Sequence, residues 1–264
     1  MIYLFIFLTP AINFLLFESF FFKANLFYPA LLISNFLILL AARIITGKKI
    51  TRKEFWNFSI WPVLFSGSLA VYSLLLVNQI VIQLLFILNL LLSYFYLKNI
   101  YYSSSAQWDD GGLAHRSSAP RSEGGGFLEN ISAYGNLLTI FFSFAAIYGL
   151  EAFLGLPIWI LILSAAVVVV LAVYQIFWVN KFSAADSSAY IFLAALLLAQ
   201  LAWAIYFLPF NYNALGLIAT VCYYLLIGLI KSSLAGKLTG RGVKFYLVSG
   251  SAFLILLLLT AKWI

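Results

Sequence analysis

Charge is scarce in this chain, and the little there is keeps out of long stretches. Only 9% of the 264 residues are Asp, Glu, Lys or Arg, where a soluble domain carries about a quarter. With 65% of its residues hydrophobic, a soluble fold of this size has too little interior to hide them, so that class is excluded. Cysteine is reduced to Cys222, which excludes disulfides and cysteine-ligated metals within one chain. Histidine is reduced to His115, which removes zinc hydrolases, since these need several strong ligands. The chain contains no HExxH, GxSxG, nucleotide-loop or dinucleotide fingerprint, and no potassium-type filter sequence. Asp109 and Asp110 are an adjacent acid pair, but a lipid-phosphate enzyme of the paired-acid kind needs a second pair to hold Mg²⁺. They read as a linker turn. No metal and no cofactor are expected.

What is present is a series of apolar runs of the length that crosses a bilayer as helix, about 20 residues. Barrel strands would be shorter and would alternate polar with apolar side chains. The fold class is therefore an all-α polytopic transmembrane bundle. Nine spans are predicted, at about 2–22, 26–43, 57–77, 79–97, 132–153, 157–179, 189–209, 212–230 and 245–261. The second is short and holds Pro29, Ser34 and Asn35. The first has no basic residue before it and no small-x-small cleavage site after it, so it reads as a retained span rather than a secretory signal.

Nine spans sort the basic residues. Arg43, Lys48, Lys49, Arg52, Lys53, Lys98, Arg116, Arg121, Lys181, Lys231, Lys237, Arg241 and Lys244 fall on one side, and Lys23 and Lys262 on the other. Such a bias marks the cytoplasmic face, which puts the N-terminus inside and the C-terminus outside. The net charge of +7 then reflects orientation and contact with anionic headgroups. Membrane lipids are the expected partners, with a membrane protein as a further one, and nucleic acid is not.

Three parts follow: a four-helix unit over 1–98, a cytoplasmic linker over 99–130, and a five-helix unit over 131–264 packed with the first as one bundle. The linker's middle, Ser103–Gly126, is rich in Ser and Gly and has no apolar periodicity, so it is predicted to be flexible. External connections are expected to be short and cytoplasmic ones longer. Gly47–Glu54 leads into Phe55 and Trp56, a pair suited to the headgroup level.

Candidate chemistry rests on few residues. Glu18 lies inside the first span near its external end, and Glu151 lies in a like position in the fifth. Acids in such places face a cavity, a partner or the headgroup layer. Gln200 is well inside the seventh span. Tyr206, Asn211, Tyr212 and Asn213 surround Pro209 and read either as a turn with aromatic anchors or as the cap of a small recess. Gln79 with Gln83, and Asn89 with Ser93, share helix faces at a spacing of four. With Asn13, Asn35, Asn136, Tyr134, Tyr174 and Gln175, they either join helices by hydrogen bonds or line a hydrophilic path. Lys237, Arg241 and Lys244, among Gly236, Gly240 and Gly242, are candidate contacts for lipid phosphate.

The stretch YFLPFNYNALG, the basic Gly-containing loop and the terminal TAKW make 200–263 resemble a group of polytopic integral membrane proteins of bacterial genomes. The resemblance implies a multi-pass protein of the bacterial cytoplasmic membrane and supplies no activity. From the residues, the expected role is that of a scaffold or partner subunit or a small-molecule transporter. The alternative is a membrane-embedded enzyme acting on a lipid or isoprenoid substrate at the cytoplasmic face.

Overall fold

The computed structural model describes residues 2–47, 51–109, 123–182, 184–236 and 238–260. Among them are nine α-helices: α1 (Ile2–Phe22), α2 (Phe27–Thr46), α3 (Arg52–Ser73), α4 (Gln79–Asp109), α5 (Glu123–Leu154), α6 (Ile158–Val179), α7 (Ala184–Tyr206), α8 (Tyr212–Leu234) and α9 (Gly240–Thr260). Eight of these nine are long and apolar enough to cross a membrane. The exception is α3. Its 22 residues are sufficient in length at about 1.5 Å per residue, but Arg52, Lys53, Glu54, Asn57 and four serines dilute its apolar content.

The helices begin and end where local chemistry dictates. At the start of α3, Thr51 and Glu54 form a capping box: the Glu54 N–H donates to Thr51 Oγ1 at 3.3 Å and the Thr51 N–H to Glu54 Oε2 at 3.1 Å. Two orphan donors are thereby satisfied. Asn211 caps α8 by accepting from the Ala214 N–H at 2.8 Å. Gly47 closes α2 with φ +60°, a conformation that costs an L side chain about 1 kcal/mol or more.

Two expectations change. The helices run further into their polar flanks than hydropathy suggests, because backbone i→i−4 bonding continues past the last apolar turn. Every connection except that between α4 and α5 is therefore three to five residues long, and the anticipated difference between short and long loops disappears. Helix also occupies both ends of the predicted flexible linker, up to Asp109 and again from Glu123. The remainder of that segment, with Asp110 and His115, lies outside the described residues.

The chain divides into two compact units, Met1–Gly135 and Asn136–Ile264, with the boundary inside α5. In the first unit α1 packs on α2 and α4, and α3 packs on α2 and α4. Its centre holds Phe17, Trp61, Phe65, Phe86 and Tyr96, all fully buried. Pro62 shapes the α3–α4 contact. It has no N–H for the Phe58 carbonyl one turn earlier, and the Tyr96 hydroxyl of α4 donates to that oxygen at 2.9 Å. Gly135 lies against the Trp61 indole, where a Cβ would overlap the ring.

The second unit packs α5 from Asn136 onward with α6, α7 and α8 around Phe144, Val169, Ala194 and Tyr223. Small residues set its closest approaches, as expected where no water drives helices together. A Cβ at Gly216 of α8 would stand 2.8 Å from the Ala145 backbone nitrogen of α5. Helix α9 buries only Gly250 and Leu257 and is seated on α8, with Gly228 under Tyr246 and Gly250 against Leu225.

Candidate functional site: a polar column in the N-terminal unit

A bundle surrounded by hydrocarbon is expected to fill its inward positions with apolar side chains. In α1 the inward positions are Ile6, Thr9, Asn13, Phe17 and Phe20, and in α4 they are Ile82, Phe86, Asn89, Ser93 and Tyr96. Both follow the three-and-four spacing of helices meeting along a seam. Two polar residues sit in the middle of each series.

Their level is set by the aromatic contacts. Phe17 meets Phe86 at 5.4 Å, and Phe20 meets the same ring at 5.8 Å. Counting from the end that carries the α1–α2 and α3–α4 turns, Asn13 and Asn89 then lie about 14–15 Å down their helices. Thr9 and Ser93 lie about one turn of helix below them. Helix α3 adds Trp61 and, nearer its capped start, Asn57, both buried. Polar side chains thus succeed one another through the apolar middle of the unit. Ser34 of α2 and Ser66 of α3 meet at 3.3 Å nearer the turns.

Partnering separates this unit from the other. In the second unit the Asn136 amide donates to Gln175 Oε1 at 2.6 Å, and the Tyr148 hydroxyl donates to the Ala202 carbonyl at 2.9 Å. These are satisfied bonds between helices. In the first unit Asn13 is 1% exposed, yet neither its Nδ2 nor its Oδ1 finds a hydrogen-bond partner among the described residues. The same holds for Asn57 Nδ2 and Trp61 Nε1. Asn89 only accepts from Ser93, at 3.4 Å. Burying an amide without a bond costs of order 1–3 kcal/mol in proteins and more in pure hydrocarbon. In the second unit the Tyr223 hydroxyl is a comparable atom.

The residues singled out from sequence are distributed as follows. Glu18 is half-buried on another face of α1, one side-chain oxygen enclosed without a partner among the described residues. Glu151 and Tyr206 are brought together: the Tyr206 hydroxyl donates to Glu151 Oε1 at 2.9 Å, joining α5 to α7. Asn211 is occupied in capping α8. Asn213 lines an open groove of about 280 Å³ with Phe141, Ala214, Leu217, Leu257 and Thr260. Gln200 is exposed on α7. Arg241 and Lys244 are exposed in the first turns of α9, and Lys237 lies outside the described residues. Glu18 and Glu151 belong to different units.

Sequence reasoning marked Asn13, Asn89 and Ser93 but passed over Asn57 and Trp61. Asn57 follows a charged, capped turn, and Trp61 looks like any apolar core residue. Among the described residues no three His, Cys, Asp or Glu side chains gather as a metal site would need. Compared with known proteins, the chain matches no family model, no curated protein and no solved structure.

Proposed function

We propose that this multi-span protein is a transporter of the bacterial cytoplasmic membrane that passes a small, uncharged, hydrogen-bonding solute through its N-terminal four-helix unit. The observation that carries the reading is Asn13, an amide in the middle of a span, buried, with both polar atoms unpartnered. An asparagine kept only to join helices would be bonded across to its neighbour, as Asn136 is to Gln175. Polar side chains at membrane depth typically mark a substrate path.

The chemistry of the column favours a neutral solute. Its buried members supply amide, hydroxyl and indole groups, which exchange hydrogen bonds with a polyol, an amide or water. They supply no fixed charge to offset the desolvation of an ion.

Helix α3 is taken as the ninth span. Its Asn57, Ser59, Ser66 and Ser73 are buried within the unit rather than turned outward, so its lower hydropathy is shielded from lipid. Nine crossings also place thirteen of the fifteen basic residues on one side, the cytoplasmic one under the positive-inside bias.

The test is flux. The purified chain in liposomes is mixed with hyperosmotic glycerol, urea or erythritol, and re-swelling is followed by light scattering. At least one solute should enter several-fold faster than in protein-free liposomes, and Asn13→Leu should remove the difference at unchanged folded yield. Entry no faster than in protein-free liposomes for all three, or equal flux in Asn13→Leu, overturns the transport reading.

A further inference from the structure

The groove in the second unit has a polarity gradient along its length. Helices α8 and α9 are antiparallel, joined by the short turn 235–239, so the start of α8 and the end of α9 lie together. Asn213 is the second residue of α8 and Thr260 the last of α9. An amide and a hydroxyl therefore mark one end of the groove. Leu217 and Leu257 stand about one turn deeper, and Phe141 of α5 closes the apolar part.

The way α9 is held explains why space remains there. Its seats on α8, Tyr246 over Gly228 and Gly250 against Leu225, both lie in its first half. Beyond them only Leu257 is buried. The last turns of α9 close on α5 and α8 without a small-residue contact, and a gap of about 280 Å³ is left open.

We infer that this groove is a seat for one acyl chain of a membrane glycerolipid, its ester region at the Asn213 end and its methylenes against Leu217, Leu257 and Phe141. The helices that wall it, α5, α8 and α9, are all apolar enough to cross a membrane. The medium at that depth is hydrocarbon chain, and a water-borne ligand would have to leave its hydration shell to enter. The polar end carries no charge, and the Asn213 amide offers N–H donors that suit an ester, whereas the Thr260 hydroxyl donates to the Leu256 carbonyl at 2.9 Å. The exposed Arg241 and Lys244 belong to the opposite end of α9 and do not head the site. The inference rests on the second unit alone and is independent of the solute path.

The test uses the full chain in nanodiscs containing a glycerophospholipid with a diazirine on one acyl chain. After irradiation, adducts are mapped by mass spectrometry. Labelling at 213–217 and 257–260 should exceed that at the outward residues Phe192 and Leu196 of α7 by about threefold or more. Leu217→Trp, which fills the apolar part, should bring it down to the α7 level. Ala214→Leu narrows the same space from an adjacent position and should do likewise, which keeps the test valid if the tryptophan variant folds poorly. Asn213→Leu should lower slot labelling while leaving α7 unchanged. Slot labelling no higher than at α7 means annular lipid only and overturns the inference, as does labelling untouched by both filling variants.

Discussion

Replacing Tyr96 with Phe removes the donor that Pro62 makes necessary. The Phe58 carbonyl then loses that donor, and no N–H one turn along can replace it. The expected loss is about 0.5–1.5 kcal/mol, read as a lowered midpoint of unfolding in detergent. Pro62→Ala should make the same Tyr96→Phe change nearly silent, since the helix then supplies the bond itself. Glu18 gives a contrasting expectation. It stands off the inward seam of α1, so Glu18→Gln should alter neutral-solute flux less than about twofold. A tenfold fall would show that the path reaches that carboxylate. A proline inside a helix leaves a carbonyl one turn earlier without its usual donor, but the replacement donor here lies thirty-odd residues away on another helix. Local spacing carries no information about such a partner.

Among elements, the close approach of α5 and α8 is the most demanding. Gly216→Val should cost about 1–3 kcal/mol by overpacking, because the new atoms meet the Ala145 backbone rather than a movable side chain. Helix α3 yields a topological expectation. With Cys222 replaced, Cys at Thr51 and Cys at Leu76 should react with an impermeant thiol reagent from opposite sides of the membrane. Labelling of both from one side would mean that α3 does not cross.

The existence of the helices was legible because runs of this length and apolarity have few other solutions. The TRKE capping box is a local pattern, yet the reading of Gly47–Glu54 passed over it for the Phe55 and Trp56 anchors. Which side of each helix faces inward was less so. A helix that is apolar all round lacks a stripe to point with, and Gln200, expected inside, lies exposed. Asn89 and Ser93 were found because their spacing of four stands out against leucines. The extensions of α4 and α5 into the Ser- and Gly-rich segment were missed, because those turns continue membrane-anchored helices and carry no apolar signal of their own.

At the scale of the whole molecule, the two units manage buried polarity in opposite ways. The second joins its helices through polar bonds, Asn136 with Gln175 and Tyr148 with Ala202, leaving the Tyr223 hydroxyl over, and is expected to be the stiffer scaffold. The first keeps Asn13, Asn57 and Trp61 buried with polar atoms unpartnered, at a cost that a bilayer makes larger. A path that admits water or solute relieves this cost, and it leaves a chemical signature at Asn13. In a Cys222→Ala background, Asn13→Cys is compared with Leu15→Cys, two residues along α1 and exposed on the outer face of the bundle. N-ethylmaleimide reacts with thiolate, which forms in water and not in hydrocarbon. The cysteine at 13 should react at least tenfold faster than the one at 15, and glycerol or urea in excess should slow it. Equal and negligible rates at the two positions would contradict the polar path and leave the N-terminal unit a closed bundle.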